Sequence, residues 1–291
     1  MDWFSLALLC AFALATTDAA TKAWLRDYSA RELSLVRLGV TGVILAPLLS
    51  DMAPLSGLPA AFWGWIGALV PLEIAAMLLY MKAIRDHPLS LTVPYLAFTP
   101  VFVMLTGFLM LGERVSTRGA LGILLVVAGA WLLNLKRADL TDWRGWVRPL
   151  AAIVSNPGSR LMLGAALLYS LTSAMGKGAM QYMAPEHFGA FYFVLLGIAA
   201  VVLFALPQPR ILHRVWRRPW AVLAVSLLNA GMVYTHFLAL QLVEVAYMIA
   251  VKRTSLLVGI LYGALLFRER GLARHSLGGG IMLGGVFLIL L

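Results

Sequence analysis

The chain has 291 residues, of which 62% are apolar and only 12% charged. Soluble domains hold about 45–50% apolar residues even with glycine counted, and about 25% charged. A soluble fold of this length could not hide so much apolar surface, and the same composition excludes a disordered chain. What remains is a polytopic membrane protein. Its net charge of +10 sits in short stretches between apolar runs. It therefore reads as an orientation signal and an attraction to anionic lipid headgroups, not as a nucleic-acid surface. The single cysteine, Cys10, cannot form an internal disulfide. No Cys/His cluster has metal-ligand spacing, so no metal and no cofactor are expected.

A hydrocarbon core of about 30 Å takes about 20 apolar residues per helix. Ten such runs follow one another, at about 3–24, 33–50, 61–82, 90–111, 116–135, 160–180, 187–206, 219–241, 243–267 and 272–291. The first ends in Ala-Thr-Thr-Asp-Ala-Ala, which resembles a signal-peptide cleavage region, but no Lys or Arg precedes it. It is read as a membrane helix. Between the fifth and sixth runs lies the longest gap, with Trp143, Arg144, Trp146 and Arg148. Residues 137–159 are therefore expected to form an interfacial connecting segment with aromatic anchors.

The chain repeats itself at a shift of about 155 residues. Ala83 through Glu113-Arg114 matches Ala239 through Glu269-Arg270. Gly122 matches Gly278, Gly129 matches Gly285, and Thr17 and Lys22 match Thr172 and Lys177. Five runs fall in each half, and an odd number forces the second half into the membrane with opposite orientation. The expected fold is all-α integral membrane, with ten transmembrane helices as two inverted five-helix repeats. The first repeat is 1–136 and the second 160–291. Such repeats are typical of secondary transporters, whose site lies near the midplane between them.

On these residues the sequence resembles the ten-helix, EamA-type members of the drug/metabolite transporter superfamily. The resemblance is carried by Pro100 followed by Gly112-Glu113-Arg114, by Glu269-Arg270 repeating that ending, and by Arg37 opening the second run. It covers the whole chain. It implies a transporter fold and leaves the substrate open among amino acids, nucleotide sugars, amines and other metabolites. Two positions depart from the pattern. Arg268 replaces the second glycine of the Gly-Glu pair, and Leu256 stands opposite Pro100.

Of the Lys and Arg residues, only Arg114, Arg118 and Lys177 fall on the side opposite the main basic face. The positive-inside rule then places both termini outside the cytoplasm, whereas the family resemblance implies cytoplasmic termini.

Two basic residues, Lys252 and Arg253, lie near the middle of the ninth run. Each costs about 2.5–3.5 kcal/mol on insertion scales. Such residues face the protein interior and mark a pathway or a buried pair. Lys252 shares a helical face with Ser255 and Tyr262. The expected acidic partner is Glu73, at the middle of the third run and on one face with Met77 and Tyr80. Their repeat counterparts include Asn229 and His236. Tyr95 and Thr99, close to Pro94 and Pro100, are expected to line a cavity or a bending point. The candidate substrate-binding residues are thus Glu73, Tyr80, Tyr95, Thr99, Asn229, His236, Lys252, Arg253, Ser255 and Tyr262. Asp18 and Lys22, four apart, are expected to form a local ion pair, with Asp18 reaching the cavity as the alternative, and Arg37 is expected to snorkel to headgroups. Gly280 and Gly284 form a Gly-x-x-x-Gly pair suited to close helix packing within the chain or to a dimer contact.

No nucleotide-binding glycine loop and no hydrolase or zinc-protease motif is present. The expected function is secondary active transport of a small organic metabolite with an anionic group, by alternating access, in a bacterial inner membrane. Its partners would be that substrate and membrane lipids, with coupling to a proton or other ion open, and with no nucleic acid. The protein is expected as a monomer or homodimer. A flippase for a lipid-linked precursor is the alternative; an intramembrane enzyme is a distant third.

Overall fold

The structure is a computed structural model that describes residues 1–87, 95–134, 156–266 and 272–291. Helices account for nearly all of it, and no β-strand occurs among the described residues. We number the helices in chain order: α1 (Trp3–Trp24), α2 (Ala30–Leu49), α3 (Ala60–Asp86), α4 (Thr99–Leu111), α5 (Thr117–Asn134), α6 (Pro157–Ala179), α7 (Pro185–Ala205), a short α8 (Arg210–Val215), α9 (Pro219–Leu242), α10 (Val245–Lys252), α11 (Ser255–Leu266) and α12 (Leu272–Leu290). Six segments are long and apolar enough to cross a membrane: α1, α2, α3, α7, α9 and Val245–Tyr262. Shorter apolar helices lie within α4, α5 and α12. The chain is a multi-pass membrane protein.

The helix starts follow local chemistry. Asp2 caps α1 by accepting the Ser5 N–H at 2.8 Å. Ser29 and Glu32 cap α2 reciprocally, each side chain taking the other's backbone N–H. This satisfies donors that a helix start otherwise leaves open. Proline stands at the first position of α6, α7 and α9, where its missing N–H costs nothing. The sixth run therefore begins at Pro157, three residues earlier than expected.

Helix α2 is not uniform. Leu35–Val40 winds as a π-helical turn. Such turns insert an extra residue into the α pattern and occur often at functional sites. Arg37 sits in this turn and is 2% exposed.

The packing pattern is unchanged when the two halves are exchanged. Helix α3 packs on α6, as α9 packs on α1; α4 packs on α6, as α10 and α11 pack on α1; α5 packs on α12. The α5–α12 pair is built on glycine. A Cβ at Gly122 would stand 2.7 Å from the Gly285 carbonyl oxygen, and one at Gly129 2.5 Å from that of Gly278. Gly122 and Gly129 match Gly278 and Gly285 in the repeat, so the two helices cross antiparallel in mutually exchanged register. Gly280 and Gly284, the pair expected to pack closely, have nothing within 4 Å of a built Cβ. The close approach within the chain uses Gly278 and Gly285 instead.

Both halves also break a helix at the same place. Ala97 and Phe98 form a turn before α4, and Arg253 and Thr254 form one between α10 and α11. In the first half Pro100 cannot donate to the Leu96 carbonyl, and its ring favours a kink or break there. The Thr99 hydroxyl fills that carbonyl at 2.6 Å. In the second half no proline is present. Thr254 N–H and hydroxyl both donate to the Val251 carbonyl, at 2.9 and 2.8 Å.

Candidate functional site

The best-defined polar assembly joins α1, α2, α3 and α9. Arg37 forms an ion pair with Asp18 of α1 and donates to Asn229 Oδ1 of α9 at 3.2 Å. Tyr80 of α3 donates to the other Asp18 oxygen at 3.0 Å. Asn229 Nδ2 returns hydrogen bonds to the Arg37 carbonyl at 2.9 Å and to Thr41 at 3.1 Å. One expectation is corrected here, and another is extended. Arg37 does not snorkel, because the π-helical turn aims it inward at partners that hold its charge. Asp18 turns across the bundle to Arg37 and Tyr80 rather than serving only as a local partner for Lys22.

A second group lies beside the first, toward the middle of the bundle. Lys252 Nζ is 3.4 Å from His236 Nδ1. Arg253 is 5% exposed, and among the described residues its guanidinium makes no hydrogen bond or ion pair. Asp18, Tyr80 and Tyr169 lie within its electrostatic reach. The sole cysteine, Cys10, is fully buried beside Lys252 and Thr235. Across α6, Glu73 of α3 is flanked by the hydroxyls of Thr172 and Tyr192. Tyr192 Oη itself has no hydrogen-bond partner among the described residues. Glu73 and Lys252 are within Coulombic reach of each other. The ion pair expected between Glu73 and Lys252 or Arg253 does not close: no such contact within 4 Å occurs among the described residues. Tyr169 stands close to both Tyr80 and Glu73, with its ring 6.2 Å from that of Tyr80.

Five of the ten expected residues therefore share one region: Glu73, Tyr80, His236, Lys252 and Arg253. Asn229 connects through Arg37. The other four are placed elsewhere. Thr99 and Ser255 mark the two helix breaks. Tyr95 packs edge-on against Trp131 of α5 at 6.0 Å. Tyr262 meets the Thr16 hydroxyl at 2.8 Å and tilts against Phe12, joining α11 to α1. The side-chain pattern alone did not point to Arg37, Tyr169, Thr172 or Tyr192 as part of this region. A repeat match did mark Thr172, as the counterpart of Thr17.

The two ends of the bundle are tied differently. On the basic face, the ends of α2, α3 and α8 border a cavity of ≈ 340 Å³ lined by Arg31, Glu32, Lys82, Arg85, Asp86 and Arg214, among others. Beside it, Arg218 pairs with Asp27 at 2.9 Å and Tyr28 donates to the Val215 carbonyl at 3.1 Å. At the opposite end, Glu113 accepts from Lys177 Nζ at 2.6 Å and from the Val245 N–H at 2.9 Å. Lys177 also donates to the Val243 carbonyl at 2.6 Å. Gly112 permits this by adopting φ +69°, a left-handed conformation that costs other residues strain. Glu113→Ala should cost about 3 kcal/mol, and Glu113→Gln about 1, because only the amide can still accept from Val245. Unfolding in detergent checks the order.

Most of the connecting segment, including Trp143, Arg144, Trp146 and Arg148, lies outside the described residues, as do Pro94 and Arg268-Glu269-Arg270.

The sequence comparison decides the family. The model of the EamA-like transporter family matches residues 1–135 and again 156–291. The chain belongs to the EamA-like transporter family. One solved crystal structure superposes on this EamA-like chain with a TM-score of 0.68 at 15% identity, covering 99% of this chain and 95% of that one. That likeness concerns the fold. Among characterised sequences, a probable 4-amino-4-deoxy-L-arabinose-phosphoundecaprenol flippase subunit ArnE of Enterobacter is 31% identical over 72 residues, 25% of this chain and 67% of that one. Its namesake from Erwinia tasmaniensis is 33% identical over 70 residues, 24% of this chain and 65% of that one. The matched stretch is thus a quarter of this EamA-like chain and about two thirds of each ArnE chain.

Proposed function

We propose that this EamA-like protein is a secondary transporter for a small organic metabolite with an anionic group. It would work by alternating access in a bacterial inner membrane, with two inverted five-helix units rocking about a central chamber. The chamber would be walled by Glu73, Tyr80, His236, Lys252 and Arg253, with Asn229 behind them. Ten spans are reached by counting α10 and α11 as one broken helix and leaving α8 outside the membrane. The antiparallel glycine crossing of α5 on α12 supports the inversion.

The observation that carries the reading is Arg253. A buried guanidinium with no hydrogen-bonding partner among the described residues is costly, and a ligand would complete the site. Its planar donor fork suits carboxylate and phosphate. Nothing in this reading requires catalysis.

The experiment uses proteoliposomes and a panel of radiolabelled carboxylates and phosphorylated metabolites. The expected result is counterflow of at least one anion, reduced more than tenfold by Arg253→Gln and by Lys252→Ala, with both variants folded. Undiminished flux in both variants overturns the assignment. Cys10 supplies a native reporter in the same protein. The transported anion should slow its labelling by a small membrane-permeant maleimide, because the thiol lies beside Lys252.

The ArnE relatives, whose names specify a phospholipid-linked sugar, favour a second reading in which the moved group hangs from a lipid. Protection of Cys10 by a polyprenyl phosphate in mixed vesicles, and not by water-soluble anions, would select it.

A further inference from the structure

We infer that the cavity at the basic end of the bundle binds a phosphoryl group, carried by a lipid headgroup or by a soluble phosphomonoester. The cavity shares no lining residue with the proposed chamber. It lies between α2, α3 and α8, and α2 packs on both of the others. Its volume of ≈ 340 Å³ falls at the lower end of the range of about 300–1,000 Å³ usual for ligand sites. A second cavity of ≈ 350 Å³ adjoins it and shares Ser29, Glu32, Arg85 and Arg214.

The acids around these cavities are already committed. Asp86 pairs with Arg85 at 2.6 Å. Asp27 pairs with Arg218 at 2.9 Å and stands 3.6 Å from Arg26. Glu32 accepts the Ser29 N–H and lies 3.8 Å from Arg217. Three cations remain: Arg31 of α2, Lys82 of α3 and Arg214 of α8. All three line the first cavity, and their side chains have no hydrogen bond or ion pair among the described residues. They come from three helices and from both halves of the chain. A carboxylate would bring one charge and two oxygens to this cluster. A phosphomonoester brings three oxygens and close to two charges at neutral pH, which suits two guanidinium forks and a lysine. The Ser29 hydroxyl and the Gln208 amide also line the cavity and can donate. Helix α8 buries Ile211 and Val215 but leaves Leu212 exposed, as are Trp216 and Trp220 just beyond it. Exposed apolar and aromatic side chains beside arginines mark the headgroup boundary. Arg31, Lys82 and Arg214 are themselves exposed, so the group can arrive from lipid or from water. Once bound, it would tie α8 of the second half to α2 and α3 of the first.

The test uses purified full-length protein in neutral detergent at fixed ionic strength, with binding read by thermal shift and titration. In the lipid arm, dioleoyl phosphatidic acid is compared with dioleoylglycerol. In the soluble arm, glycerol 3-phosphate is compared with glycerate and glycerol. The expected result is saturable stabilisation by the phosphoryl compound of at least one arm and not by its partners. Response in the lipid arm alone assigns a headgroup, and response in the soluble arm assigns a free phosphomonoester. Arg214→Gln and Lys82→Gln should each weaken that binding roughly tenfold or more, the loss expected for one hydrogen bond to a charged group. Arg214→Lys should keep part of it. Arg210→Gln is the control, since it removes the same charge from α8 at a position that lines neither cavity. It should leave the affinity unchanged. The inference is overturned if neither phosphoryl compound binds, or if glycerate binds as tightly as glycerol 3-phosphate. It is overturned equally if Arg210→Gln weakens binding as much as Arg214→Gln, the signature of diffuse surface attraction. Affinity undiminished in both Arg214→Gln and Lys82→Gln would also overturn it.

Discussion

Replacing Arg37 with methionine is expected to destabilise the protein by about 3–5 kcal/mol, the cost of breaking a buried ion pair by removing one partner. The side chain is only 3% exposed and holds Asp18, Asn229 and, through Asp18, Tyr80. Methionine fills comparable volume, so the loss comes from charge and hydrogen bonding, not from a cavity. Asp18 would keep the Tyr80 hydroxyl as a donor in a setting where it is one-third exposed, which places the effect toward the lower end of that range. The variant Asp18→Asn should cost less, because the amide oxygen still accepts from Arg37 while its NH2 can donate to the Tyr80 hydroxyl, which turns to accept. The double variant Arg37→Met/Asp18→Asn should be more stable than the sum of the two changes predicts, since it removes the orphaned charge. Additive losses in detergent unfolding would show that the pair is not coupled.

The second large effect concerns shape. Gly129→Leu would place a Cβ 2.5 Å from the Gly278 carbonyl oxygen and 2.6 Å from Met282 Cγ. Overpacking typically costs about 1–3 kcal/mol where neighbours can shift. Here the first neighbour is backbone on the facing helix, so α12 must move off α5, and the cost is expected at or above about 3 kcal/mol. Gly280→Leu is the control. Nothing lies within 4 Å of its Cβ position, and leucine favours helix over glycine by roughly 1 kcal/mol. Its melting temperature should hold or rise while that of Gly129→Leu collapses. Equal effects would mean that the glycine crossing does not carry the α5–α12 contact.

Much of this was legible in the sequence, and the failures have physical causes. The apolar runs and the shifted glycines were visible because membrane burial and close approach restrict composition locally. Lys252 and Arg253 stood out because charge at that depth is expensive. Arg37 was misjudged because its inward aim depends on a π-helical turn and on Asn229, 192 residues away. Asp18 was read first with Lys22 because spacing of four is the nearest available rule, while Arg37 and Tyr80, which also hold it, lie on other helices. The Glu113–Lys177 pair joins the two halves across 64 residues, a relation that no local pattern encodes. The break at Arg253–Thr254 carries neither proline nor glycine, so only the repeat hinted at it.

The two helix breaks differ in permanence. The one at Ala97–Phe98 is built in covalently, because Pro100 has no N–H to return to the Leu96 carbonyl. The one at Arg253–Thr254 is held only by hydrogen bonds that a helix could exchange for its own. Every residue from Ala250 to Leu257 can donate an amide, so α10 and α11 could anneal into a single rod. Annealing would rotate everything beyond Thr254 relative to Lys252 and Arg253. A duplicated architecture would then contain one fixed elbow and one that can straighten. Its two faces would open by different motions despite their shared pattern of contacts.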